Sequence, residues 1–305
     1  MFDTIIVGAG PAGMTAALYA ARSNLKVALL ERGIYGGQMN NTAEIENYPG
    51  YSLISGPELA EKMVAPLETF GVEQVFGTLQ KIELDGPVKK VYTEDGVLEA
   101  KSVVLTMGAK HRLLGVTGED TYTSRGVSYC AVCDGAFFRG QDLVVVGGGD
   151  SAVEEALFLT QFASTVTVVH RRDQLRAQQV IQERAFANEK IRFVWDSVVE
   201  EIYGDGNRVE GVRVKNLKTE EVTDHAVGGV FIYVGLDALT ESVADLGITD
   251  EQGWIVTDEQ MATKLPGIFA AGDIRQKHLR QITTAVGDGA IAGQGVYQYV
   301  SEQAE

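Results

Sequence analysis

One relation constrains this 305-residue chain more than any other: it repeats itself. Residues 5–32 (IIVGAGPAGMTAALYAARSNLKVALLER) align without a gap on residues 144–171 (VVVGGGDSAVEEALFLTQFASTVTVVHR). Gly8 falls on Gly147, Gly10 on Gly149, Gly13 on Ala152 and Arg32 on Arg171. Each copy reads as a β-branched strand, a glycine turn, an Ala/Leu-rich helix and a second apolar strand, which is a βαβ unit. A hairpin signal follows each copy, Glu94-Asp95-Gly96 in the first and Asp205-Gly206-Asn207 in the second. A short apolar strand ending in glycine comes next, over 102–108 and 229–235. The pattern predicts an α/β chain of two nested Rossmann-like dinucleotide-binding domains, each with a β-hairpin or meander added. The tail from about 243 is too short for a third such domain and is expected to return to the first. The expected partition is 1–114 with 241–305 for the outer domain and 115–240 for the inserted one.

Glycine supplies 35 of the residues, an excess over the usual ~7%, while proline numbers only 6. That combination assigns glycine to tight turns rather than to low-complexity sequence. In each copy the first glycine makes the turn and the second lets backbone approach a pyrophosphate. The third position lets helix pack on strand, and the pyrophosphate then sits on the helix N-terminus. Pro11 and Ala12 open the first helix, and Asp150 and Ser151 open the second. The alternative, two plain βα turns, weakens once both copies carry strand before and helix after. The strand ends separate the ligands. Glu31, followed by Arg32, can accept hydrogen bonds from a ribose diol and would repel a 2′-phosphate. His170 stands at the equivalent place, followed by Arg171, Arg172 and, one helical turn on, Arg176, guanidiniums suited to a 2′-phosphate. Copy one is therefore expected to take NAD or FAD and copy two NADP(H). A solvated arginine cluster is the plainer account.

A net charge of −16 argues against nucleic acid and against an anionic membrane surface. No apolar run approaches the ~20 residues of a membrane span. Met1-Phe2-Asp3 leads into a strand without a basic leader, so a soluble, cytoplasmic chain is expected. Ser55-Gly56-Pro57-Glu58 has capping-box spacing and predicts a helix over 57–70, kinked at Pro66.

Cys130 and Cys133, three apart, are the whole cysteine inventory. A zinc site needs four ligands, so the chain offers no complete metal site; two buried thiols, or half of an intermolecular site, stay open. A redox-active disulfide suits an intracellular chain better, and a helix opening at the pair would favour thiolate. Asp134 beside the pair can donate a proton to a leaving thiolate, or can serve as an ordinary first-turn helix residue. Phe137 and Phe138 are expected in the core.

Taken in order, these residues resemble the low-molecular-weight thioredoxin reductases, along the whole chain. The resemblance rests on Gly8-Ala9-Gly10-Pro11-Ala12-Gly13, Gly36-Gly37-Gln38, Glu46-Asn47-Tyr48-Pro49-Gly50 and Cys130 to Gly135. It continues through Gly147-Gly148-Gly149, His170-Arg171-Arg172-Asp173 with Arg176, and Gly267 to Asp273. It implies FAD in copy one, with Gly37, Gln38 and Asn47 near the isoalloxazine and ribityl chain. Gly108 belongs to the same site, and Gly272 and Asp273 lie on the ribityl or phosphate side. Arg280-Gln281-Ile282 would begin a helix aimed at the flavin. It implies NADPH in copy two, on Gly148, Gly149, Asp150 and Ser151 with His170, Arg171, Arg172 and Arg176. It also implies a homodimer, thioredoxin as protein partner, and Cys133 as the flavin-proximal sulfur. Hydride from NADPH would reach FAD, then the disulfide, then thioredoxin, with the inserted domain rotating about linkers near 112–117 and 237–243. Two departures stand out: Thr106-Met107-Gly108 where the family often has Ala-Thr-Gly, and Val132 where many members have threonine. A ferredoxin or flavodoxin NADP reductase with an idle cysteine pair, and a non-catalytic dinucleotide-binding redox sensor, are the other readings.

Overall fold

The computed structural model describes residues 1–42 and 45–303. The chain divides into two compact units, Met1–Lys110 with Asp237–Glu305, and His111–Leu236. The crossings fall a few residues ahead of the expected 114/115 and 240/241.

In chain order the first unit runs β1 (Phe2–Val7), α1 (Pro11–Arg22), β2 (Val27–Glu31), α2 (Gly56–Thr69), β3 (Glu73–Phe76), β4 (Lys81–Asp85), β5 (Val88–Thr93) and β6 (Gly96–Leu105). The sheet order is β3-β2-β1-β6-β5-β4, parallel as far as β6 and antiparallel beyond it. Ile5, Ile6, Leu29 and Val104 are fully buried, as strands covered on both faces must be. The Ser55 hydroxyl caps α2 by accepting the Glu58 N–H at 3.3 Å.

The chain enters the second unit within β7 (Ala109–His111). It continues through α3 (Glu119–Tyr122), β8 (Val127–Ser128), α4 (Ala131–Asp134), β9 (Asp142–Gly147), α5 (Asp150–Leu159), β10 (Thr165–Val169), α6 (Gln179–Ala187) and β11 (Ile191–Val194). A meander, β12 (Ser197–Gly204), β13 (Val209–Asn216) and β14 (Val222–Ala226), precedes β15 (Gly229–Tyr233). The main sheet, β11-β10-β9-β15-β8, is parallel throughout, and the meander forms a sheet of its own. Along β9 the side chains alternate. Leu143 and Val145 face a core with Val153, Ile181 and Phe231, and Val144 and Val146 face another with Ile202, Val212 and Val214.

The chain returns within β16 (Leu236–Ala238). The first unit is completed by β17 (Ile268–Ala270), parallel to β6, and α7 (Ile282–Glu302). Helix α7 lies so close to α1 that a Cβ on Gly289 would stand 2.3 Å from the Ala12 carbonyl oxygen. Among the described residues no helix is long and apolar enough to cross a membrane.

Candidate functional site

Both glycine turns are built alike. Gly8 (φ +103°) and Gly147 (φ +149°) take a backbone conformation that L side chains resist. A Cβ on Gly13 would fall 1.8 Å from the Gly8 carbonyl oxygen, whereas the second copy opens enough to seat Ala152 there. Gly10 and Gly149 are the N-cap residues of α1 and α5. A Cβ on either would meet no atom within 4 Å, so the space over each helix start is clear for an anion. Pro11 is at the first position of α1 and Ala12 is buried behind it. Thr106, met in the sequence only as a departure from the family pattern, shares its hydroxyl hydrogen between the carbonyls of Val7 and Gly8 at 2.8 Å and holds the first turn in shape.

At the end of β2 the Glu31 carboxylate accepts the N–H groups of Ala9 (2.7 Å) and Gly33 (2.9 Å), which orients it beside the turn; Arg32 is exposed. Gln38 donates to the Ala109 carbonyl at 3.2 Å, beside Gly108, and Asn47 donates to the Gln281 side chain at 3.1 Å. Gln281 caps α7 in a reciprocal capping box with Thr284, and Ile282 is the first helical residue. Gly37 precedes Gln38 on the same short helical turn. Asp273 follows Gly272 with its Oδ1 buried and without a partner, and burial raises its pKa against the pull of Lys277 and Arg280. Arg280 donates to the Asp273 carbonyl at 3.3 Å and lies over the Trp254 ring. An orphaned buried carboxyl, a clear helix start and the Glu31 carboxylate form a cradle that fits a dinucleotide such as FAD. The loop carrying Asp273 is held by a cluster the sequence does not reveal. Asp288 of α7 accepts from the Gly272 N–H (3.0 Å), Arg275 (2.9 Å) and Lys277 (2.9 Å), all three side chains nearly buried.

In the second unit His170 is only 4% exposed, and its ring occupies the space a Cβ on Gly148 would need. Its Nε2 is buried without a partner. Burial, with Arg176, Arg172 and Arg171 around it, holds its pKa below the ordinary histidine value. All three arginines are exposed. One expectation needs correcting: residues 171–178 form no helix, and α6 begins only at Gln179. Arg176 comes to the glycine turn because its N–H donates to the Gly148 carbonyl at 2.6 Å. Asp150 pins the same loop by accepting the Gln178 N–H at 2.7 Å, and Ser151 is exposed beside it.

Cys130 and Cys133 are joined by a disulfide. A helix does open at the pair, but α4 is a single turn, Ala131–Asp134. Cys130 is its N-cap and its Sγ accepts the Cys133 N–H at 3.1 Å. Cys133 is exposed and Cys130 half-buried. The buried Ser128 hydroxyl donates to Asp134 Oδ2 at 2.7 Å and accepts the Cys130 N–H at 3.0 Å, tying the carboxylate to the turn. Phe138 meets the Phe231 ring edge-on at 5.4 Å, but Phe137 is 78% exposed and not part of the core. A one-turn helix followed by a second short turn presents Phe137 outward, which residue type alone does not reveal. Nothing in the structure singles out Val132 or Met107.

The family model of pyridine nucleotide-disulphide oxidoreductases matches residues 2–289. The thioredoxin reductase of Listeria monocytogenes is 54% identical over 305 residues, covering 100% of this chain and 96% of the relative. That of Bacillus subtilis is 52% identical over 306 residues with the same coverage. The crystal structure of Lactococcus lactis thioredoxin reductase (FR conformation) superposes with a TM-score of 0.98 at 62% identity, over 99% of this chain and 100% of that one.

Proposed function

The chain belongs to the thioredoxin reductases of the pyridine nucleotide-disulphide oxidoreductase family, and from that premise we propose how its parts divide the work. The protein is an oxidoreductase whose redox disulfide is Cys130–Cys133. Its electron donor is NADPH, its flavin is FAD and its protein substrate is thioredoxin. FAD held in the cradle of the first unit would supply the two-electron chemistry that links NADPH to the disulfide.

The chain's own residues do the rest. The first glycine turn and Glu31 hold the adenosine end of FAD, and Asp273, Asn47 and the start of α7 hold the ribityl and ring end. His170 with Arg171, Arg172 and Arg176 takes the 2′-phosphate of NADPH. Asp134, fixed by Ser128, returns a proton to a thiolate of the pair. Cys133 faces the flavin, and Cys130 with the exposed Phe137 lies toward thioredoxin. The molecule works in the cytoplasm as a homodimer, and the inserted unit reorients between turnover steps. The observation that carries this reading is one chain holding two glycine turns of opposite ribose chemistry together with an adjacent cysteine disulfide.

The test is spectroscopic. NADPH is expected to bleach the yellow flavin in wild type and in Cys133→Ser alike. Oxidised thioredoxin is expected to restore the colour in wild type only. Recovery in Cys133→Ser at the wild-type rate would remove the disulfide from the pathway and favour a ferredoxin or flavodoxin reductase.

A further inference from the structure

Tyr233, the last residue of β15, accepts the N–H of Ala131 at 3.0 Å, and Ala131 lies in sequence between the two cysteines. A phenol donates as well as accepts, so its own proton needs an acceptor. Burial raises the pKa of this phenol, and two carboxyls add to it, Glu155 of α5 more strongly and Asp134 of α4 less so. Glu155 has a buried Oε2 with no partner. A bare carboxylate in such a place is costly, so the neutral acid is favoured. Burial, with Glu154 beside it, pushes the Glu155 carboxyl up to about 8. The groups that act on it are thus Glu154 on its own helix and Tyr233 on the neighbouring strand, with Asp134 facing the same phenol.

We propose that Glu155 is a positioning acid of the disulfide reaction: in its protonated form it stands behind Tyr233 and keeps the cysteine turn free of a further negative charge while the Cys130–Cys133 bond is opened. Opening the bond puts an electron pair into S–S and leaves two thiolates. Each thiolate that becomes a thiol takes up one proton, drawn in the end from solvent and passed to one of the sulfurs by Asp134. Asp134 already brings a carboxyl to this turn, so an ionised Glu155 would oppose the sulfur charges from a second side. Reduction therefore tightens the hold of Glu155 on its proton. In the range where Glu155 is ionised in the disulfide form and protonated in the dithiol form, reduction takes up an additional proton.

The inference rests on the disulfide-reductase reading, and the two fail differently. The midpoint potential of the pair is measured in the FAD-loaded protein by equilibration against a thiol–disulfide buffer, from about pH 6 to about pH 10. Wild type is expected to take up as much as one proton more per electron pair than Glu155→Gln above about pH 8, with matching slopes below about pH 7. Identical profiles overturn the proposal, and so does a uniform shift at every pH, which is what a packing role would produce. A pair that does not equilibrate at all overturns the reductase reading instead. Should Glu155→Gln fail to fold, wild type alone decides. Its reduced-minus-oxidised infrared difference spectrum must gain the positive carbonyl band of a protonated carboxylic acid as the pH rises past about 8, where Glu155 is ionised in the disulfide form and protonated in the dithiol form. Absence of that band overturns the proposal.

Discussion

Three guanidiniums surround one buried imidazole at the end of β10, in a chain that is otherwise strongly acidic. Nothing in the unit's core needs them there, since all three are exposed. Each charge-assisted hydrogen bond to a phosphate contributes about 1.5–3 kcal/mol, and for exposed side chains the lower end applies, so removing two should cost NADPH binding roughly 100-fold. Arg171→Ala with Arg172→Ala is accordingly expected to raise the KM for NADPH by about that factor and to leave the KM for NADH within about two-fold. Steady-state kinetics with both cofactors decides the matter; equal losses would mean that the arginines do not read the 2′-phosphate. These residues are legible in the sequence because their meaning is local: they follow directly on a strand whose counterpart ends in Glu31. Arg176 belongs to the cluster as its position suggests, but not through a helical turn. The contact that places it is a backbone bond to Gly148, across a loop. Glu155 and Tyr233 are not legible at all. Their environment arises when α5, β15 and the cysteine turn pack together, and no spacing in the chain records that.

Elements near the flavin cradle show the same division. The βαβ units can be read from β-branched runs and glycine spacing, and the cap of α2 from Ser55 and Glu58. That β6 runs unbroken from meander into main sheet, whereas β14 and β15 are separate, cannot, because strand pairing decides it. Nor can the contact between α7 and the Asp273 loop, where one carboxylate, Asp288, neutralises two nearly buried cations and caps a backbone N–H. Breaking such a cluster by removing its single anion leaves uncompensated charge, at a cost of about 3–5 kcal/mol. Asp288→Ala is thus expected to lower the urea midpoint of the first unit and to weaken FAD retention at least tenfold. Asp288→Asn, which keeps the shape and one acceptor, should fall between. Denaturation followed by tryptophan fluorescence, and FAD release on gel filtration, measure the two effects. Unchanged FAD affinity in Asp288→Ala would show that the loop holds Asp273 without this anchor.

At the scale of the whole molecule, the two units differ in how the chain builds them, one from a single segment and the other from two. Each closes its own cut ends with a backbone bond. In the first unit the Leu239 N–H donates to the Gly108 carbonyl at 3.0 Å, and in the second the Arg112 N–H donates to the Gly235 carbonyl at 3.0 Å. Each unit also has apolar cores made of its own residues. Joining ends already held together costs little loop entropy, since closure grows only as the logarithm of loop length. A chain of residues 111–236 alone is therefore expected to fold cooperatively, to bind NADP+ in preference to NAD+, and to hold no flavin. Residues 1–110 joined by a short glycine–serine linker to 237–305 should bind FAD and lack disulfide reductase activity. Circular dichroism with thermal melting tests folding, and calorimetric titration tests the ligands. If the inserted segment melts without cooperativity, the repeat is a record of duplication but not of independent stability. If it folds and prefers NAD+, the guanidinium cluster needs the outer unit to do its work.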